Sequence, residues 1–146
     1  MTPRLEYALS AGLLAFALAP ATVFLVTFRL LDDAMVWQLS AAAGLAALLS
    51  AGWVSGWQWL LDADRRARRV FGVAFFTVLV ALGLFFPLCM AMLGVGMAAH
   101  LGVLELAEVV AVLLAFAAGL GGLPALLLTS PLAWRFLWRR DRRVAA

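Results

Sequence analysis

Two clusters of arginine are the side chains of this sequence best suited to bind a ligand, because a guanidinium binds phosphate through paired hydrogen bonds. Each cluster adjoins an apolar block and contains aspartate. The simpler interpretation is attraction to anionic lipid headgroups, worth about 1 kcal/mol per basic residue near a membrane surface. The sharper hypothesis is a clamp for a lipid-linked phosphate. The candidate residues are Arg65, Arg66, Arg68, Arg69, Arg139, Arg140, Arg142 and Arg143.

A second group of side chains offers sulfur and imidazole ligands of the kind that select copper(I). Cys89, Met92 and His100 would share one face of a helix. Cys89 and His100 would then lie about 16 Å apart along the helix axis, too far to bind one ion together. Methionine in an apolar helix more commonly fills space. We therefore expect no bound metal and no other cofactor.

Three glycines and a proline interrupt the last apolar block: Gly119, Gly121, Gly122 and Pro124. Proline removes a backbone donor and crowds the carbonyl four residues earlier, and glycine lets a helix bend. The first interpretation is a kinked but continuous helix. The second is a broken helix near the membrane midplane, where transporters bind substrates on free backbone groups. These four residues are therefore the candidates for a substrate path.

Four long apolar blocks must position all these residues. The chain has 146 residues, of which 66% are hydrophobic and 13% charged, whereas soluble domains carry about 25% charged residues. Each block exceeds the roughly 18 apolar residues that indicate a transmembrane helix, and a backbone in lipid must satisfy its own hydrogen bonds. We predict an all-α integral membrane protein, a four-helix transmembrane bundle forming one domain over residues 1–146. The expected helices are about 6–30, 34–61, 70–99 and 104–134, followed by an arginine-rich tail at 135–146.

The arginines also predict an orientation. Ten of the eleven flank the same ends of the expected helices, and only Arg29 lies on the other side. The positive-inside rule then places both termini in the cytoplasm. A composition rich in Ala, Gly and Leu with no lysine suggests a GC-rich bacterial genome, hence a bacterial inner membrane. This distribution argues against a nucleic-acid partner and favours contact with anionic lipids.

Two patterns concern how the helices assemble. The motif W-x-x-L-x-x-x-D-R-R begins at Trp57 and again at Trp134, which raises the hypothesis of a duplicated helical hairpin. The alternative is convergence, because helices that leave toward the cytoplasm favour tryptophan and then arginine. Separately, small residues four positions apart let helix backbones approach closely, either within the bundle or against another protein. The candidates for such packing are Gly52, Gly56, Ala111 and Ala115.

These features favour a non-enzymatic function, as a small subunit or assembly factor of a larger membrane complex, or through self-association. Two alternatives stay open. One is a small oligomeric transporter or channel with its site at residues 119–124. The other is an enzyme or flippase that acts on a lipid-linked phosphate through the cytoplasmic arginines. An intramembrane charge would favour a coupled transporter, and a catalytic acid or base beside the arginines would favour an enzyme, but neither is evident.

Overall fold

The computed structural model describes residues 2–27, 34–61, 66–97 and 102–144, and every element within these ranges is helical. The elements are α1 (Pro3–Thr27), α2 (Ala34–Val54), α3 (Gln58–Leu61), α4 (Arg66–Met97), α5 (Val103–Phe116), a π-helical turn (Ala117–Gly121) and α6 (Gly122–Val144). Four stretches are long and apolar enough to cross a membrane. They are Pro3–Thr22, Ala34–Val54, Arg66–Met92 and Ala107–Arg142.

The four long helical spans form a ring. α1 packs on α2, α2 on α4, and α4 on both α5 and α6, while α6 returns to α1. Among the described residues, no contact of comparable extent joins α1 to α4 or α2 to α6 across the ring. The centre of the ring is therefore bordered by the four spans, and no described helix passes through it. We call the end of the bundle where α4 begins and α6 ends the arginine-rich end.

α1 and α2 cross closely at a pair of glycines. A Cβ atom built on Gly12 would lie 3.1 Å from the carbonyl oxygen of Gly44 and 3.0 Å from the Cβ atom of Leu48. A Cβ atom built on Gly44 would lie 3.2 Å from the carbonyl oxygen of Gly12. Small residues allow this backbone approach, which drives helix association in lipid.

Two apolar clusters lie at different levels of the ring. The first cluster lies toward the arginine-rich end and contains buried residues from all four spans. They include Tyr7 from α1, Val54 from α2, Val73 from α4 and Phe136 from α6. The buried residues of the second cluster come from α2, α4 and α5 alone, and they are Leu39, Ala42, Ala46, Phe85, Cys89 and Val110. Among the described residues, α1 is therefore bound into the ring more fully at the arginine-rich end.

The second span ends earlier than the predicted range of 34–61. The backbone amides of Gly56 and Trp57 donate to the carbonyls of Trp53 and Val54, three residues earlier, at 2.9 and 3.0 Å. These tight bonds end α2, and the single turn of α3 follows. The sequence pattern missed this boundary because uncharged residues, with Leu60 and Leu61 among them, continue beyond the turn.

The arginine clusters lie on helical turns. α4 begins at Arg66, before the predicted start at 70, and α6 continues to Val144 through most of the predicted tail at 135–146. Arginine has a high helix propensity, and side chains four residues apart share a face. Helical continuation therefore lets the clusters contact neighbouring helices instead of forming a free tail.

The small residues predicted to pack between helices lie on the outside of the bundle. Gly52, Ala111 and Ala115 are exposed, and a Cβ atom on Gly52 would meet no atom within 4 Å. Gly56 lies in the exposed turn after α2. Within the described chain these four residues therefore do not close the bundle. The spacing of small residues identifies a helix face made of small side chains, but it does not show whether that face packs on another helix of the same chain.

The two copies of the tryptophan–arginine motif differ in local structure. Trp57 lies in the turn before α3, whereas Trp134 lies inside α6. Gly44 is buried against α1, whereas its counterpart Gly121 has no atom within 4 Å of a built Cβ. The two motif copies therefore differ in their local structure, and the duplicated hairpin stays a prediction.

Candidate functional site

A cavity of about 510 Å³ occupies the centre of the ring. All four spans contribute to its wall, through positions between 11 and 22, 35 and 47, 77 and 85, and 112 and 129. Ligand sites in proteins commonly measure about 300–1,000 Å³. The cavity is therefore large enough to hold a ligand, and it lies within the apolar part of the bundle.

Small side chains on every span create this space. Ala15, Ala47, Ala81 and Ala125 each line the cavity from a different span. Among the described residues, no charged side chain lines it. Apolar cavities stay dry unless polar groups hold water, and they bind apolar molecules instead. The described wall therefore has the chemistry of an apolar site.

Three threonines supply the hydroxyl groups in the wall, and each is already bonded. Thr22 Oγ1 donates to the carbonyl of Ala19 at 2.8 Å, and Thr129 Oγ1 donates to the carbonyl of Ala125. Thr77 shares a hydrogen bond with another side-chain hydroxyl. Buried polar groups in lipid must be satisfied within the protein. The three hydroxyl groups of the wall therefore need no hydrogen bond from a ligand.

The last span passes the cavity through its π-helical turn, Ala117–Gly121, and is not interrupted there. Gly121 and Gly122 line the cavity, and a Cβ atom on either would meet no atom within 4 Å. Gly119 is exposed and Pro124 is half-buried, and neither lines the cavity. Isolated π turns are frequent at functional sites. Two of the four substrate-path candidates thus lie at the cavity.

Aromatic and hydroxyl side chains close the cavity toward the arginine-rich end. The hydroxyls of Tyr7 and Thr77 are 3.0 Å apart and share a hydrogen bond between α1 and α4. The ring of Tyr7 stacks on that of Phe136, with centroids 5.2 Å apart and an interplanar angle of 25°. All three side chains are buried, and Thr77 also lines the cavity. We call this contact the cavity floor.

An ion-pair clasp lies beside the floor, where Glu6 and Arg135 are next to Tyr7 and Phe136 in the sequence. Glu6 on α1 pairs with both Arg135 and Arg139 on α6, with an Arg135 Nη2 to Glu6 Oε1 distance of 3.2 Å. The two arginines are one helical turn apart, so both reach the same carboxylate. Exposed ion pairs contribute about 0–1 kcal/mol each. The clasp therefore adds little to the stability of the floor, which depends on its own buried contacts.

Two candidate arginines stack on tryptophan at the same end. The guanidinium of Arg66 lies 4.4 Å from the ring centroid of Trp134, and that of Arg142 lies 3.7 Å from the ring centroid of Trp138. Cation–π contacts contribute about 0.5–1 kcal/mol at exposed sites. Tryptophan belongs at membrane interfaces, so these pairs suit the boundary between lipid and water.

The remaining arginines of the phosphate hypothesis gather at this end as well. Arg68 is exposed, and Arg69 and Arg140 are half-buried. Arg65 lies outside the described residues, and only the helical backbone of Arg143 is described. The cavity floor separates these groups from the cavity. A lipid-phosphate clamp stays a prediction.

The weak metal candidates do not converge in the described part of the chain. Cys89 is buried beside Phe85 and Val110 in the second cluster, and Met92 is half-buried against it. His100 lies outside the described residues. No group of three or more His, Cys, Asp or Glu side chains comes together within those ranges.

Sequence reasoning missed the residues that form the floor and the clasp. Tyr7 is the only tyrosine of the chain, and a hydroxyl group inside an apolar helix needs a partner. That need was a readable signal for an interhelical bond to Thr77. Glu6 was equally informative, as a carboxylate at the end of the bundle that carries the arginines. The cavity itself had no such signal, because scattered alanines do not reveal which faces meet.

No family model, curated protein or solved structure matches this chain.

Proposed function

We propose that this chain is a non-enzymatic, multi-pass membrane protein that binds a hydrophobic molecule in its central cavity and carries or presents it within the membrane. The observation that supports this most is the cavity among four spans, whose described lining holds no charged side chain and includes Gly121 and Gly122. A channel for ions would need polar groups along its path. A carrier of hydrocarbon needs instead an apolar site of ligand size, which is what the ring encloses.

The proposed location is a bacterial inner membrane with both termini in the cytoplasm. Arginines of α4 and α6 lie at one end of the bundle, together with the interfacial tryptophans Trp134 and Trp138. Positive residues remain on the cytoplasmic side. The arginine-rich end then faces the cytoplasm and anionic headgroups, and the cavity extends from the floor toward the opposite leaflet.

The test is native mass spectrometry of the protein released from mild detergent. We expect the wild-type chain to retain a bound hydrophobic molecule. Ala81→Phe should lower the occupied fraction several-fold, because the ring would fill the cavity. Ala91→Phe is the matched control, since Ala91 is exposed on the same helix and does not line the cavity. Equal retention by both variants would overturn the proposal.

A second candidate function is that of a subunit of a larger membrane complex. The observation that favours it is the exposed surface at the end of α2, formed by Gly52 and Trp53 together with Gly56 in the turn that follows. Such small residues allow another helix to approach closely. Gly52→Leu should then remove a co-purifying membrane protein or a second copy of the chain, and leave the stability of the monomer unchanged. An unaltered set of co-purifying proteins would reject this candidate.

A further inference from the structure

We propose that the occupant of the cavity is one acyl chain of a membrane phospholipid, which enters sideways between α1 and α5 while its headgroup stays outside the bundle. This inference rests on the proposed function, and it names the ligand class and the access route. Three independent observations on the described residues support it.

The first observation is the unequal closure of the ring. Toward the arginine-rich end, one cluster joins α1 with α2, α4 and α6. The described residues of the second cluster come from α2, α4 and the last span, and none comes from α1. α1 contacts α6 and the π turn, but any contact with α5 is slight. Among the described residues, the side between α1 and α5 is therefore the least closed side of the ring.

The second observation is that some wall residues face both the cavity and the surroundings of the bundle. Val112 and Leu120 line the cavity, yet they remain 56% and 50% exposed. Leu18 and Thr22 line it from α1 and are half-buried. These residues lie on the two spans that border the side between α1 and α5, and we take their exposed surface as the rim of a lateral opening to lipid. An apolar rim of this kind admits a hydrocarbon chain without desolvating a polar group.

The third observation concerns the headgroup. The floor of Tyr7, Thr77 and Phe136 closes the cavity toward the arginines. No charged side chain among the described residues lines the cavity, so a phosphate inside it would be a buried, unpaired charge. The lining of α1 extends from Ala11 to Thr22, about 17 Å of helix. One leaflet of hydrocarbon is about 15 Å deep, so the cavity matches one chain and excludes the headgroup.

The experiment uses the full chain in vesicles of phosphatidylethanolamine and phosphatidylglycerol that contain one of two photoreactive probes. One probe is a phospholipid with a diazirine at the end of an acyl chain. The other is a free alkane with a diazirine and no headgroup. After illumination, mass spectrometry locates the labelled peptides. We expect both probes to label the segment around Thr77 and Ala81.

Variants at the opening complete the design. Leu120→Trp should reduce labelling by the phospholipid probe several-fold, because the larger side chain obstructs the opening. Leu123→Trp is the matched control, since Leu123 is exposed on the same span and does not line the cavity.

The outcomes separate this inference from the proposed function. Labelling by the alkane but not by the phospholipid would overturn the acyl-chain assignment and leave the hydrophobic site intact. Labelling by neither probe would overturn both. Phospholipid labelling that Leu120→Trp leaves unchanged would overturn the lateral route between α1 and α5.

Discussion

At the scale of single residues, the bundle depends on a few close or polar contacts within an apolar chain. Glycine lets α1 and α2 approach where Gly12 faces Gly44, and one shared hydrogen bond fixes Tyr7 to Thr77. Lipid supplies no hydrophobic driving force between helices, so packing and hydrogen bonds of this kind hold them together. Single substitutions at these positions should therefore have clear effects.

We expect Gly44→Leu to lower the free energy of unfolding by about 1–3 kcal/mol, the usual effect of overpacking a close contact. The added side chain would press on the backbone of Gly12 and on Phe16. Gly52→Leu is the control on the same helix, where a Cβ atom meets open space. Thermal unfolding in detergent would measure both variants. Equal melting temperatures would show that the glycine crossing does not stabilise the bundle.

We expect Tyr7→Phe to reduce stability by about 1 kcal/mol, because the hydroxyl of Thr77 loses its interhelical partner. The ring stack on Phe136 would remain. A double-mutant cycle with Thr77→Val isolates the hydrogen bond from the loss of each hydroxyl. Unfolding in a denaturing detergent supplies the free energies. A coupling energy near zero would contradict the floor contact.

At the scale of elements, the π-helical turn places glycine at the cavity without breaking the last span. The sequence predicted disruption near Pro124 because proline and glycine are readable locally. Whether the span kinks, breaks or forms a π turn depends on how α5 and α6 pack on α4, so the sequence alone did not predict it. For the same reason, the outward position of Gly52 needed the assembled bundle.

Deletion of Ala118 tests the role of the π turn. A π turn holds one more residue than an α-helix between the same two faces, so the shortened span should continue as an α-helix and keep both clusters in register. We expect near wild-type thermal stability but several-fold lower retention of the bound molecule. Deletion of Leu127, within α6, should instead rotate the helix faces and lower stability. Full retention after the Ala118 deletion would show that the turn does not shape the site.

At the scale of the whole molecule, composition and block length predicted four apolar spans correctly, because a lipid environment leaves the backbone little choice but helix. Of the substrate-path candidates that the glycine–proline motif identified, Gly121 and Gly122 line the cavity, and Gly119 and Pro124 do not. The cavity, its floor and the least closed side of the ring arise from which helix faces meet. A single sequence shows that Tyr7 needs a hydrogen-bond partner, but no local pattern in it shows which helix faces meet.

The proposed orientation has a direct test. Reporter fusions at residue 146 and between Asp32 and Asp33 should indicate cytoplasmic and periplasmic locations respectively, because ten of eleven arginines flank the first side and positive residues remain inside. The Asp32–Asp33 position lies outside the described residues. A periplasmic C-terminus would reverse the orientation and assign the opening to the other leaflet.

The central claim is that the ring encloses a hydrocarbon-binding site, and a structure determined with a brominated lipid tests it most directly. The protein would be crystallised from a lipidic mesophase doped with phospholipid whose acyl chains carry bromine. Anomalous scattering then locates the bromine atoms. We predict a bromine peak inside the ring, among Thr77, Ala81 and Gly121, and no such peak in crystals of Ala81→Phe. A cavity filled by ordered water, or bromine found only on the outer surface of the bundle, would contradict the claim.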